Sequence, residues 1–441
     1  MRTVVVGSGP VGLFCGMVLA RRGERVTVVD RDPGPAKDGT WRRRGVMQYA
    51  HPHFFRHPVR QALLEELPDV WHAVVAAGGV PACFEGMPEF LTGLQCRRST
   101  LERVLWAAAC QEPGLSLRTG VAKALRVEGG RVTGVVVDGA LVQAGRVVCA
   151  TGRGSSLGDD LRAPGQEDAC GFSYVARMYR ARRGADWPTW PLSGQLYDGY
   201  QAILFPQDDR TLSALIVRPT ADSGLMRLRG TAAFDTATGL IPQLSPWTDT
   251  SSFEPITAPM SGGRLTNGYR GQLDQGGRVS AAGVHFVGDA VCTTNPAAGR
   301  GVTLGLRQAQ ALLGLLVLEP DARDVAEGFD AWCTENVKPW YDDHVFWDAD
   351  LLRRFAGQDV AVEQRLSSDI MCAAGEADPS LMSVIGPFLS MTTMPASLSA
   401  VEESVRTLLR AGWRPSYAPG PTRDELVVQI AEPGGVYPVS T

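Results

Sequence analysis

Gly7, Gly9 and Gly12 form a Gly-x-Gly-x-x-Gly pattern between the strand-like run Val4-Val5-Val6 and an apolar, helix-like run from Leu13 to Ala20. A second strand-like run, Glu24 to Asp30, follows and ends in an acid, with Arg31 beside it. Strand, glycine turn, helix, strand and acid in this register are the dinucleotide-binding fingerprint. Gly7 permits the tight turn, Gly9 lets the backbone approach a pyrophosphate, and Gly12 lets the helix pack close to the strand. The phosphates would sit on unpaired N–H groups at the helix start, where Pro10 and Val11 lie. Asp30 would accept hydrogen bonds from a ribose. The pattern alone does not separate FAD from NAD.

A second constellation lies far down the chain. Val284-His285-Phe286-Val287 reads as a buried strand and is followed by Gly288-Asp289-Ala290. Then come Asn295-Pro296-Ala297-Ala298-Gly299-Arg300-Gly301 and a long apolar helix to about Leu318. Asp289 would bond sugar or ribityl hydroxyls, the glycines of the Pro296–Gly301 loop would let backbone lie flat against a ring, and the helix start offers partial positive charge. His51, His53 and His57 invite a metal reading. Prolines intervene, however, and no cysteine or carboxylate completes a ligand set, so no metal site is expected.

The elements that must hold these groups follow from periodicity. Pro58–Leu67 and Val70–Ala77 read as helices. Ser99 or Thr100 is expected to cap a helix to about Cys110. Short strands follow: Leu115–Arg118, Val121–Glu128, Arg131–Asp138 across a Gly129-Gly130 hairpin turn, and Arg146–Ala150. Residues 172–270 change character. Runs Phe172–Arg180, Gln195–Phe205 and Thr211–Arg218 read as an antiparallel sheet around one helical stretch, Met226–Leu240. The helix from Gly301 is apolar nearly all round and should be buried between layers. Residues 320–410 read as helical, and 411–441 as a Pro- and Gly-rich covering tail.

Composition sets bounds. The chain has 441 residues, 44% hydrophobic and 20% charged, with a net charge of −4, so a soluble globular class is expected and no nucleic-acid partner is implied. Nine scattered cysteines without a Cys-x-x-Cys point to reduced thiols and a cytoplasmic setting. The basic-then-apolar start looks like a leader, but Gly-Ser-Gly-Pro interrupts it, so no cleavage is expected. The apolar run Ala311–Leu318 reads as too short for a membrane span.

Taken together, Gly7–Gly12 with Asp30, Arg43-x-Gly45-Val46, Arg98 with Leu101, the strand pair around Val121, and Gly288-Asp289 with Pro296 and Gly301 resemble the FAD-dependent monooxygenases of the para-hydroxybenzoate hydroxylase fold. The resemblance covers about 320 residues in the family's order. It implies an α/β fold (α+β overall): a Rossmann-like FAD-binding domain, an inserted antiparallel β-sheet substrate domain, and C-terminal helices. The corresponding boundaries are 1–77, 98–171 and 271–320 for the discontinuous FAD domain, 78–97 and 172–270 for the substrate domain, and 321–441 for the C-terminal region and tail. By this match Arg43 and Arg98 would touch the FAD pyrophosphate or ribose, the Val121 backbone the adenine, and Asp289 the ribityl region. Gly152 stands at the end of the strand Arg146–Ala150. His51-Pro52-His53 follows the Arg43–Val46 segment, which in the family passes beside the flavin, and one of the pair, with His53 as the candidate, would be a pocket acid/base or hydrogen-bond donor.

The sequence also departs from the aromatic hydroxylases. Where they carry an Asp-Gly motif linked to NADPH use, this chain reads Thr151-Gly152-Arg153-Gly154-Ser155-Ser156. That looks more like the epoxidase and styrene-monooxygenase-like branch and the halogenase-like flavoproteins. Trp187-Pro188-Thr189-Trp190-Pro191 does not match the Trp-x-Trp-x-Ile-Pro signature of flavin halogenases. The resemblance implies a monooxygenase that hydroxylates or epoxidises a small, largely apolar organic substrate with O2 through a flavin hydroperoxide. Electrons would come from NAD(P)H, directly or through a separate flavin reductase. Two alternatives remain: an FAD oxidase or dehydrogenase without oxygen insertion, and a non-catalytic binding module resembling the GDP dissociation inhibitors.

Overall fold

The computed structural model describes residues 1–43, 45–82, 93–189 and 193–431. Its first layer is a five-stranded parallel sheet in the order Val284–Phe286, Arg146–Cys149, Arg2–Val6, Arg25–Asp30, Leu115–Thr119. The central strands are buried on both faces, which is why they read as unbroken valine runs rather than as alternation. Helices Pro10–Arg21 and Arg98–Gln111 and the three-stranded meander Ala122–Gln143 enclose this sheet. Gly16 sets the helix spacing: an added Cβ would meet Val28 at 2.9 Å and Leu115 at 3.2 Å.

The second large sheet has six antiparallel strands built on Phe172–Ala181 and Thr211–Pro219, which pair over nine residues from Phe172↔Pro219 to Arg180↔Thr211. Alternation along the strands sorts side chains into two cores. Tyr200, Ala202, Leu204, Leu212, Ala214 and Ile216 pack on helix Thr231–Leu240, and Leu426 and Ile430 join them. Phe172, Tyr174, Ile203, Phe205, Leu215 and Val217 face the other way, toward Leu351 and Phe54.

Several expectations are corrected here. Helix Arg98–Gln111 starts from Arg97 without a side-chain cap bond. Thr100 instead donates its hydroxyl to Asp208 at 2.6 Å, tying the helix to the second sheet, and Ser99 lies within the first turn. The run Gln195–Phe205 is two strands, Ser193–Tyr197 and Tyr200–Pro206, joined at Asp198-Gly199 with Gly199 at φ +83°. The stretch near Met226–Leu240 divides into a 3-10 turn, Leu225–Arg229, and the helix from Thr231. The presumed covering tail contains helix Arg423–Ala431, locked to the second sheet's layer by a two-pronged Arg423–Asp222 ion pair at 2.7 and 2.8 Å.

Helix Gly301–Leu318 forms as expected and is long and apolar enough to cross a bilayer by length and composition alone. It is not buried all round: Leu304, Ala309, Leu312 and Leu313 enter the core, whereas Val317 and Leu318 are exposed. The segment 78–97 forms strands Val80–Ala82 and Gly93–Gln95, paired with each other; residues 83–92 and Trp190 lie outside the described residues.

Candidate functional site

One cavity of about 840 Å³ runs from the glycine turn to the Asn295–Gly301 loop and on to the second sheet. Gly7, Gly9, Pro10, Val11, Gly12, Asp30, Arg31, Arg43, Arg98, Val121, Gly152, Asp289, Pro296, Gly299 and Gly301 all line it, as does His53. Residues chosen from opposite ends of the chain therefore share one wall. Its size falls within the roughly 300–1,000 Å³ typical of cofactor clefts.

The glycines divide by role. An added Cβ on Gly7, at φ +110°, would sit 2.2 Å from the Ala150 carbonyl oxygen, and one on Gly12 would sit 1.9 Å from the Gly7 carbonyl oxygen. These two positions are closed by backbone. A Cβ on Gly9 would meet no atom within 4 Å, so the folded chain itself leaves room at this position, on the cavity wall. No side chain caps the helix from Pro10, and its first internal bond is Leu13 N–H to the Gly9 carbonyl at 3.0 Å. The earlier N–H groups of Val11 and Gly12 are left for an anion.

Asp30 is held firmly. Its Oδ2 accepts from the Ser8 N–H at 2.6 Å, the Ser8 hydroxyl at 2.8 Å and Arg43 at 3.0 Å, and its Oδ1 accepts from the Asp32 N–H at 2.9 Å. One lone pair of Oδ1 remains for a ribose hydroxyl. Arg43 has a different part from the one expected. Its buried guanidinium is committed to Asp30, to Ser8 and to Glu102, which is fully buried, so it braces the turn instead of reaching a phosphate. The Val121 backbone is likewise engaged: its N–H donates to Asp138 Oδ1 at 3.0 Å and its carbonyl accepts from the Asp138 N–H at 3.1 Å. What Val121 offers the cavity is its half-exposed side chain. Arg31 lies over Gly45, where a Cβ would come within 2.1 Å of the guanidinium. Arg98 is bonded to Glu102.

At the far end the Asp289 side chain is exposed to the cavity, and the protein around that cleft raises its carboxyl pKa against the opposing pull of Arg98 and Arg153. The turn that carries it is pinned by Gln308, whose Oε1 accepts the Gly288 N–H at 2.8 Å. Loop residues Pro296–Ala298 form a 3-10 turn ending at Gly299, φ +66°. His53 donates or accepts at Nδ1 with the His51 carbonyl, 2.9 Å away; a carbonyl only accepts, so Nδ1 carries the proton and Nε2 is an acceptor. Burial, with the charge of Arg98, depresses its pKa to about 3. It is therefore neutral at ordinary pH, and of the acid/base role expected for it the free Nε2 offers the accepting half.

Beyond the loop a second, smaller pocket of about 150 Å³ is walled by Phe172, Ile203, Phe205 and Val217 of the sheet and by Trp347 and Leu351 of helix Lys338–Phe355. Arg56, Gln201, Asn295, Arg300, His344 and Asp348 also line it, so a group of about benzene size would meet polar as well as apolar walls there. Sequence reasoning missed this helix's share of the site, along with Ser8 and Glu102. Ser8 has a signal in hindsight, because it lies inside the fingerprint and faces the acid.

The fold matches those of known proteins. The model of the FAD dependent oxidoreductase family matches residues 2–88. The flavin-dependent brominase Bmp2 superposes with a TM-score of 0.65 at 14% identity, over 93% of this chain and 100% of that one. PqsL, a probable FAD-dependent monooxygenase from Pseudomonas aeruginosa, gives 0.60 at 16% identity, over 81% and 98%. The OxyS anhydrotetracycline hydroxylase from Streptomyces rimosus gives 0.57 at 19% identity, over 89% and 76%. The chain has the fold of the FAD-dependent monooxygenases. The Rossmann-like layer and the sheet over its cavity are thus the two parts of that fold.

Proposed function

We propose that the protein is an FAD-dependent monooxygenase that inserts one oxygen atom, by hydroxylation or epoxidation, into a small, largely apolar organic substrate. The observation that carries this reading is the continuity of the cavity. It begins at an anion-binding helix start, ends at a backbone loop suited to a flat ring, and there meets a ring-sized pocket whose sheet wall is apolar. Bound FAD would supply the redox and O2 chemistry, with NAD(P)H as the electron source, directly or through a separate flavin reductase.

The chain's own residues bind, orient and shield. Gly9 and the N–H groups of Val11 and Gly12 take the pyrophosphate, and Asp30, fixed by Ser8 and Arg43, takes the adenosine ribose. Asp289 takes the ribityl hydroxyls, and Pro296 to Gly299 lie along the ring. Phe205 and Leu215 present apolar surface where water must be excluded. The domain limits given above and a cytoplasmic setting belong to the same proposal. So does Thr151–Ser156, which stands in place of an NADPH-linked Asp-Gly motif and favours a partner reductase.

The test is reconstitution with FAD, reduction with NADH, NADPH or dithionite, and mixing with oxygen in the presence of small aromatic and alkenyl compounds. A product heavier by one oxygen atom is expected. Oxidation without oxygen gain would make the protein an oxidase or dehydrogenase. Failure to take up FAD would overturn the reading.

A further inference from the structure

Helix Lys338–Phe355 lies outside both sheets, yet it supplies the anchor of the loop assigned above to the flavin ring. Asn295 Nδ2 donates to Asp348 Oδ1 at 2.8 Å, and Asn267 Nδ2 donates to Asp348 Oδ2 at 2.8 Å. The oxygens of the same two amides hold the loop backbone. Asn267 Oδ1 accepts the Asn295 N–H at 2.7 Å, and Asn295 Oδ1 accepts the Ala297 N–H at 3.1 Å. All three side chains are buried.

The direction of these bonds follows from Asp348. An amide has a donor end and an acceptor end, and nothing in its shape fixes which way it points. A carboxylate accepts at both oxygens, so it forces both NH2 groups toward itself and both amide oxygens toward the loop. An asparagine at 348 would accept from one amide and set its own NH2 against the other. That amide could then flip, placing NH2 against a backbone N–H of the loop.

The charge is retained at a cost. Arg300, the cation nearest in influence, is ion-paired to Asp343 at 2.9 Å and packed against Trp340 and Trp347. His344 lies one turn earlier with Nδ1 3.9 Å from Asp348, and burial keeps it neutral. The Cys170 thiol also faces Asp348. Burial accordingly raises the Asp348 pKa to about 6.

We propose that Asp348 is the positioning residue of the ring-binding loop, orienting Asn267 and Asn295 so that the Asn295–Gly299 backbone is presented to the flavin in one conformation. This rests on the assignment of that loop to the flavin ring. Arg300, His344 and Cys170 are the other groups facing the site, and because burial in the ordered loop raises the Asp348 pKa, protonation near pH 6 favours that ordered state and does not loosen it.

Two readouts test it. In the protein without FAD, hydrogen exchange at Asn295 and Ala297 should be about tenfold or more faster in Asp348→Asn than in wild type, with the parallel sheet unchanged. Asn267→Ser, which removes the amide oxygen that accepts the Asn295 N–H, should show the same acceleration at Asn295, which keeps the test decisive if Asp348→Asn does not fold. In FAD-loaded protein, Asp348→Asn should retain flavin but shift its visible absorbance and fluorescence, and should lose a spectral transition near pH 6 that wild type shows. Unchanged exchange would overturn the proposal. Faster exchange with an unaltered flavin spectrum would reduce Asp348 to a packing role and overturn it equally. Failure of wild type to bind FAD would sink the functional reading, while the exchange result would still decide whether Asp348 holds the loop.

Discussion

Replacing Gly9 and Gly12 separately with alanine should split binding from folding. A Cβ at Gly9 meets nothing within 4 Å, and the residue's φ of −71° and ψ of 177° suit alanine. As a helix N-cap, alanine is worse than glycine by about 0.5–1 kcal/mol. Stiffening of the unfolded chain returns about 0.4–1 kcal/mol. The FAD-free Gly9→Ala protein should thus stay within about 1 kcal/mol of wild type in urea unfolding. If a pyrophosphate lies against Gly9, the new methyl overpacks that contact by about 1–3 kcal/mol. FAD affinity, followed by quenching of flavin fluorescence on titration, should then fall by about 5- to 150-fold. Gly12→Ala is the opposite case. Its Cβ would lie 1.9 Å from the Gly7 carbonyl oxygen and 3.2 Å from the Ala150 Cβ, and neither neighbour is a flexible side-chain end. Folding itself should suffer, by about 3 kcal/mol or more. Unaltered FAD affinity in Gly9→Ala would refute the placement of the pyrophosphate.

Arg43→Ala leaves Glu102 and Asp30 without their shared cation, so urea unfolding should show a loss of about 3–5 kcal/mol even before FAD is added. His53 is neutral above its depressed pKa of about 3, so His53→Gln should leave the pH–rate profile between about pH 5 and 8 in place; loss of a titrating limb would contradict this. Ile203→Trp fills the smaller pocket and should raise KM or abolish turnover while FAD binding is retained. The folded-state pKa of Asp348, about 6, lies above its unfolded value of 3.8, so its ionisation opposes folding above pH 6 and this cost is relieved as pH falls from 6 toward 4. At neutral pH the cost is about 3 kcal/mol, and wild type should gain stability relative to Asp348→Asn as pH falls from about 6 toward 4; a loss of relative stability in that window would contradict this.

The parts of the site legible from sequence were those set by local backbone demands. Gly7 and Gly12 are glycine because backbone atoms stand where a Cβ would go, and such demands leave a fixed spacing in the chain. Valine runs revealed the parallel strands because those strands are covered on both sides. Parts set by distant partners left no such trace. Arg43 reads as one member of an arginine run until Glu102 and Asp30 are placed around it. Asp348 sits in a helix with ordinary polar spacing, and its role appears only when Asn267 and Asn295 converge on it. The Asp198-Gly199 turn was legible as a hairpin signal but was hidden inside a long apolar run. Helix Arg423–Ala431 was masked by its Pro- and Gly-rich surroundings, although Leu426 and Ile430 had the spacing of a buried face.

A crystal structure of the protein soaked with FAD tests the central claim most directly. The account predicts one extended FAD, with the adenosine ribose on Asp30, the pyrophosphate over Gly9, and the ring along Pro296–Gly299 facing Phe205 and the ring-sized pocket. A ring lying elsewhere, or a cavity that admits a nicotinamide dinucleotide and excludes FAD, would contradict it.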